Sequence, residues 1–277
     1  AGAQAEAALQ QTVKDKAGKY LVVIEGSIPI GAGGAYCTIG GKSALQIARE
    51  ASANAAGVIA VGTCAAFGGI PAAAPNPTGA LSVGDAVPGI KNLVNLPACP
   101  TNAENITALI VYYLTYKKFP PVDSLKRPLF AHGKTIHDNC ERRAHFDAGQ
   151  YVGAWGDEAH RDGECLFKMG CKGPETYNNC PVVRYNDAAN WPIGCGHPCI
   201  GCTERNFWDT MTPFYNRLPN VAGIGVEHTA DILGAALAVG AAAGVAAHAA
   251  ATGIYQIRSR RHEAGAEQSP GESGREN

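Results

Sequence analysis

A chain of 277 residues with a formal charge of −1 has no basic excess, which excludes a general nucleic-acid or polyanion surface. The length suffices for one large domain or two smaller ones, each with a proper core. Ten cysteines are too many for an ordinary core and too sparse over 277 residues for a small disulfide scaffold. Cys37, Cys64 and Cys99 stand singly, whereas Cys140, Cys165, Cys171, Cys180, Cys195, Cys199 and Cys202 crowd into one stretch rich in Gly, Pro and Asn. Disulfides in an exported protein and metal ligands both give such a distribution, and ligand spacing separates them.

The opening AGAQAEAALQQ reads as an amphipathic helix with no strand before it, as though earlier residues were missing. Residues 20–26 (YLVVIEG) form an apolar run ended by glycine, the pattern of a buried parallel strand. Residues 41–56 have helical character, 57–63 (GVIAVGT) predict a second buried strand and 90–96 a third. Residues 103–117 predict a helix with Asn102 as its N-cap. Cys64 follows one strand and Cys99 another, and chemistry in open α/β sheets gathers at the carboxyl ends of strands. These two distant cysteines are therefore expected at one edge. The α/β domain is placed at 1–125.

From 126 to 226 the periodicity fades and loop residues dominate. So long a stretch does not fold on apolar burial alone, and inorganic ligation would supply the missing order. His137, Cys140, Cys165 and Cys171 make one four-ligand set, suited to zinc or to a cubane iron–sulfur cluster. Cys180, Cys199 and Cys202 make a three-thiolate set, the number for a three-iron cluster with one vacant corner. Cys195 reads as a small buried residue, and Cys37, in GAYCTIGG, as a packed thiol. On spacing alone the chain is a multi-cluster protein or a zinc protein.

Residues 232–257 contain no Asp, Glu, Lys or Arg, and at ~1.5 Å per residue they reach across a hydrocarbon core of ~30 Å. Tyr255 sits where interfacial aromatics occur, and Arg258, Arg260 and Arg261 would remain on the cytoplasmic side. Gly240 and Gly244 form a GxxxG pair suited to close helix contact, and His248 is the one histidine of the segment. An Ala-rich soluble helix is the alternative. The membrane anchor is placed at 227–262, and 263–277 is expected to be a disordered tail.

Six segments then follow one another in order: EGSIP (25–29), GTCAAFGGI (62–70), PNPTGA (75–80), IHDNCERRAHFDAGQ (136–150), CLFKMGCKGPETYNNCP (165–181) and NWPIGCGHPCIGCTERNFWD (190–209). Together they resemble the small subunit of membrane-bound nickel–iron hydrogenases, with the likeness running from about 18 to 214. The resemblance implies a flavodoxin-like parallel-sheet domain, here without its first strand, then an iron–sulfur domain at 126–226 and a C-terminal anchor. It implies a distal [4Fe–4S] cluster on His137, Cys140, Cys165 and Cys171, and a medial [3Fe–4S] cluster on Cys180, Cys199 and Cys202 beside Pro192. Cys64 and Cys99 match two of the four ligands of a proximal [4Fe–4S] cluster. The family's other two lie in a CxxC-type motif after the first β-strand; that strand and motif are absent here, and the sequence is expected to be a fragment.

The implied activity is a relay. Hydrogen is split in a nickel–iron large subunit, and electrons pass through the clusters to a di-haem cytochrome b or quinone at the periplasmic face of the inner membrane. Oxygen-tolerant members carry an extra cysteine at the position of Gly69, so ordinary oxygen sensitivity is expected. If Cys195 reached the medial cluster, a four-iron form would result. The rival classes are a quinone-reductase subunit of the complex I type, which lacks the region from Cys140 to Cys202, and a zinc-stabilised binding module.

Overall fold

The computed structural model describes residues 2–217 and the helix Val226–Ala266, with side chains of that helix over 236–258. The chain divides into two compact units, Ala1–Leu218 and Pro219–Asn277.

In the first unit, α1 (Ala3–Asp15) precedes a parallel sheet of β1 (Leu21–Glu25), β2 (Gly57–Val61) and β3 (Leu93–Leu96), in the spatial order β1-β2-β3. The register sets Leu21 opposite Gly57 and Val58 opposite Leu93. All five residues of β2 are buried, as its continuous apolar run requires. Successive side chains of a strand point to opposite faces, and the core divides accordingly. Val58 and Ala60 pack with Ala48 of α2 (Ala44–Ala53), Val83 and Leu93. Ile59 and Val61 pack with Val94, Leu96 and Leu109 of α4 (Ala103–Tyr116). Between β2 and β3 lies α3 (Gly62–Phe67), which begins at the carboxyl end of β2 and carries Cys64.

Local chemistry sets the helix ends. Ser43 caps α2 by accepting from Gln46 N at 3.1 Å. Asn102 caps α4 by accepting from Glu104 N at 2.9 Å, and Lys117 ends it in the left-handed region (φ 55).

Four expectations change. Among the described residues the strand at 20–26 pairs on one side alone, with β2, and Val23 is 50% exposed. The helix expected at 41–56 begins at Ala44, because residues 38–43 turn back as a short antiparallel ribbon. The opening amphipathic helix forms, but α1 buries none of its residues. The tail at 263–277 continues the C-terminal helix as far as Ala266, and residues 267–277 lie outside the described residues.

Beyond residue 126 the first unit is built from turns. Its helices there run to five residues at most among the described residues, the longest being Arg143–Asp147. A satellite core of Ile136, Val152, Leu166, Trp191 and Ile193 takes Cys180 and Cys199 into its packing. Phe207, Trp208 and Met211 pack against Ala66 and Phe67 of α3, tying the end of this region to the sheet. Arg127, 4% exposed, donates through Nε to Asp123 at 2.7 Å and through Nη1 to Glu204 (2.8 Å) and to Thr203 O (3.2 Å).

The second unit contains one described helix, Val226–Ala266. Its 23-residue stretch Ala236–Arg258 has a mean hydropathy of 1.5, long and apolar enough to cross a membrane.

Candidate metal centre

His137, Cys140, Cys165 and Cys171 line one small cavity, with Ile136, Phe146, Phe167 and Ile193 among its walls. The elements that deliver them are turns. His137 opens the 3-10 turn His137–Asn139, Cys140 caps that turn, and Cys165 and Cys171 flank the turn Phe167–Met169. Gly170 permits this return with φ 89; a Cβ there would lie 2.5 Å from the Tyr215 carbonyl carbon. The His137 ring meets Phe146 edge-on at 4.6 Å. Burial first, then the Arg143 guanidinium, pulls the His137 pKa down, so the ring is held neutral and able to ligate.

Cys180, Cys199 and Cys202 line a second, larger cleft with about 1130 Å³ of unfilled space, together with Pro192, Cys195, Cys99 and Tyr185. Ile136 and Ile193 line both cavities. Cys195, expected as a small buried residue, is instead exposed at the rim of this cleft. The tight turn closed by Cys195 N donating to Trp191 O (3.0 Å) and Gly196 N donating to Ile193 O (3.0 Å) places it there.

Cys64 and Cys99, from the ends of β2 and β3, are brought close enough to interact electrostatically. Burial first, then Cys99, pushes the Cys64 thiol up. The Cys99 N–H is directed at the Cys202 sulfur, so this edge of the sheet adjoins the second cleft. Gly69 packs on Cys64: a Cβ there would clash with Cys64 Sγ and lie 2.6 Å from Cys64 Cα, at a φ of 62. Cys37 is half-buried and lines neither cavity.

All ten cysteines are free thiols, although nine lie in or beside these sites. Burial, first among the causes, pushes Cys180 up to about 11 and Cys165, Cys171, Cys199 and Cys202 up to about 12. So many buried sulfur donors would repel one another as thiolates unless a cationic group lay between them. Among the described residues no three His, Cys, Asp or Glu side chains converge on the geometry of a single ion. The first set closes around a narrow space, and the second rings a cleft wider than one ion. Backbone N–H groups aim at the sulfurs: Cys199 N at Cys171 Sγ (3.4 Å) and Gly201 N at Cys199 Sγ (3.4 Å). Clustered soft donors with backbone amides aimed at sulfur fit iron–sulfur ligation.

Three residues that sequence reasoning passed over belong to these sites. Lys172 is 1% exposed; its Nζ donates to Gly170 O at 2.8 Å and to Asn216 O, and its N donates to Cys199 O at 2.8 Å. Thr176 Oγ1 lies 3.6 Å from Cys199 Sγ and donates to Lys172 O at 2.6 Å. Tyr185 Oη lies 3.9 Å from Cys180 Sγ and donates to Pro100 O at 3.1 Å.

Comparison with known proteins agrees with this chemistry. Residues 132–215 match the family model for the C-terminal part of the NiFe/NiFeSe hydrogenase small subunit. Residues 3–113 match that of the NADH ubiquinone oxidoreductase 20 Kd subunit. The chain is 45% identical over 260 residues to the uptake hydrogenase small subunit of Azotobacter vinelandii, covering 94% of this chain and 72% of that one. It is 45% identical over 257 residues to the quinone-reactive Ni/Fe-hydrogenase small chain of Wolinella succinogenes, covering 90% and 72%. The solved recombinant [NiFeSe] hydrogenase of Desulfovibrio vulgaris Hildenborough superposes with a TM-score of 0.72 at 35% identity, over 78% of this chain and 81% of that one. With identity at this level spread over both the sheet and the thiol-lined cavities, the chain belongs to the small-subunit family of nickel–iron hydrogenases.

Proposed function

We propose that this protein, as the small subunit of a hydrogenase, passes electrons from a nickel–iron large subunit along three thiol-lined stations to an acceptor at the membrane. The observation that carries the proposal is the shared wall: two cavities, each ringed by a predicted ligand set, have Ile136 and Ile193 in common. His137, Cys140, Cys165 and Cys171 hold a distal [4Fe–4S] cluster, and Cys180, Cys199 and Cys202 a medial [3Fe–4S] cluster. Cys64 and Cys99 supply two thiolates to a proximal [4Fe–4S] cluster.

Bound clusters supply one-electron redox chemistry, and the side chains of this protein set where and how readily it occurs. The order of stations follows three contacts: Cys64 beside Cys99, Cys99 N–H on Cys202, and Cys199 N–H on Cys171. Ile136, Val152, Leu166, Trp191 and Ile193 exclude water from the middle of this line. Amides aimed at sulfur stabilise added negative charge, and a neutral imidazole in place of one thiolate removes a negative charge from the distal set. No acid–base pair is required of this chain.

The apolar stretch Ala236–Arg258 anchors the protein to the inner membrane, with the clusters on the periplasmic side and Arg258 toward the cytoplasm. A di-haem cytochrome b is the acceptor this arrangement serves, and His248, exposed on the helix, is the side chain available to face it.

Purification with the large-subunit partner tests the reading. Brown absorbance, iron and acid-labile sulfide are expected, with nickel in a partner of about twice this mass. A colourless, iron-free protein cross-linked through these cysteines overturns it. EPR of the oxidised protein assigns Cys195: a three-iron signal keeps it outside the ligand set, and absence of that signal brings it in.

A further inference from the structure

One phenolic proton faces two acceptors in the second cleft. Tyr185 Oη lies 3.9 Å from Cys180 Sγ and 3.1 Å from Pro100 O, the carbonyl that follows Cys99. The same hydroxyl therefore touches the medial thiol set and the loop of the proximal one. A cysteine that ligates iron has no proton to give, so at the Cys180 contact the tyrosine is the donor. Resting on the cluster assignments above, we propose that Tyr185 sets the reduction potential of the cluster at Cys180, Cys199 and Cys202. Its hydroxyl donates to Cys180 Sγ more strongly when that cluster is reduced and to Pro100 O when it is oxidised.

The surrounding chain holds the ring in place. Arg184 before the tyrosine (φ 52) and Asn186, Asp187 and Ala188 after it (φ 54, 61 and 61) adopt positive φ values that residues with a Cβ rarely adopt. Tyr185 and Asn190 close this turn by exchanging backbone hydrogen bonds of 2.7 and 3.3 Å. On one side Asn102, the cap of α4, donates to Arg184 O; on the other, Arg184 Nη2 donates to Glu141 at 3.1 Å.

The direction of the effect follows from charge. Reduction adds an electron to the cluster and makes its sulfurs better acceptors. A donor able to move toward sulfur stabilises the reduced state more than the oxidised one, which raises the potential. The phenol keeps its O–H bond in both states, and no second redox couple is involved.

The test is an EPR-monitored redox titration of the complex with its large subunit, comparing wild type with Tyr185→Phe. At a fixed ambient potential near the medial midpoint, the variant is expected to show about a tenfold higher oxidised-to-reduced ratio at the medial cluster. That is the share of one hydrogen bond to a charged group. The distal cluster should be unmoved. An unchanged medial titration, or equal shifts in both clusters, overturns the proposal while leaving the relay intact. A wild-type complex without a cluster at Cys180, Cys199 and Cys202 overturns both. If Tyr185→Phe fails to assemble, 3,5-difluorotyrosine placed at position 185 keeps the shape and strengthens the donor. A higher medial potential is then expected, and an unmoved one overturns the proposal.

Discussion

The amide of Cys199 points at the sulfur of Cys171, with N–Sγ at 3.4 Å. In the proposed assignment one residue belongs to the medial set and the other to the distal set, so a single hydrogen bond would span two stations of the relay. Next to it, Lys172 N donates to Cys199 O at 2.8 Å, which locks the register of the two loops.

Cys171→Ala is therefore expected to act at both stations. Iron should fall by the share of one cluster, and the EPR signal of the medial cluster should shift because the Cys199 amide has lost its acceptor. Cys140→Ala removes a proposed distal ligand that makes no such contact among the described residues, and it should leave the medial signal unchanged. Iron analysis with EPR of both variants checks the contrast.

Arg127 is the second joint. Its buried guanidinium satisfies Asp123, Glu204 and Thr203 O, and Glu204 also accepts from Tyr177 N at 2.8 Å. Arg127→Ala leaves two mostly buried carboxylates without their cation, which costs about 3 kcal/mol or more. Glu204 lies two residues beyond Cys202, so the medial cluster is expected to be lost first on heating. Lys at position 127 offers no fork and should rescue little. Thermal loss of visible absorbance, followed together with the medial EPR signal, measures both outcomes.

That each candidate set shares one cavity was legible because metal ligation constrains spacing: HxxC and CxxC within glycine-rich loops limit what else the residues can be. The order of strands was legible from apolar runs. Exposure was not. Residues 20–26 read like a buried strand, yet burial depends on having a neighbour on each side, which local pattern does not encode. Lys172 was passed over because lysine is almost never fully buried, and here the nearby Gly170 carbonyl and the sequence-distant Asn216 carbonyl make it possible. Tyr185 lay hidden for the same reason, since its partner Pro100 is 85 residues away.

Gly69 has no room for a side chain. A Cβ would clash with Cys64 Sγ, and the backbone at φ 62, ψ −162 is one that residues with a Cβ adopt at a cost of about 1–3 kcal/mol. Gly69→Cys is therefore expected to displace Cys64 and reduce iron at the proximal site, without granting tolerance to oxygen. Hydrogen uptake measured before and after exposure to air, with iron analysis, checks this. Higher residual activity in air would show that α3 relaxes around the new thiol.

His132 predicts a pH dependence of stability. It is 2% exposed, and its Nδ1 lies 2.9 Å from Tyr177 O. Burial, the largest cause, lowers its pKa from 6.5 to about 4. The unfolded chain therefore takes up a proton between about pH 6.5 and pH 4 that the folded chain refuses. Stability falls as pH falls through that window, by about 3 kcal/mol in all, and this contribution to the slope vanishes below pH 4. Replacing His132 with Gln should flatten the profile, as read from unfolding midpoints across the window.

The C-terminal span makes the last prediction. Ala236–Arg258 covers 23 residues, roughly 34 Å of helix at ~1.5 Å per residue, which is enough for the hydrocarbon core. Its apolar character rests on many alanines, each contributing little, so the segment has small reserve against a charge. Ala247→Arg, at the midpoint, adds about 2.5–3.5 kcal/mol to insertion. The variant is expected to leave the membrane fraction under carbonate extraction while keeping its clusters and its hydrogen-dependent reduction of a soluble dye. Leu at the same position should hold the protein in the membrane. If both variants remain membrane-bound after extraction, the helix is not what anchors this chain, and attachment must come through a partner.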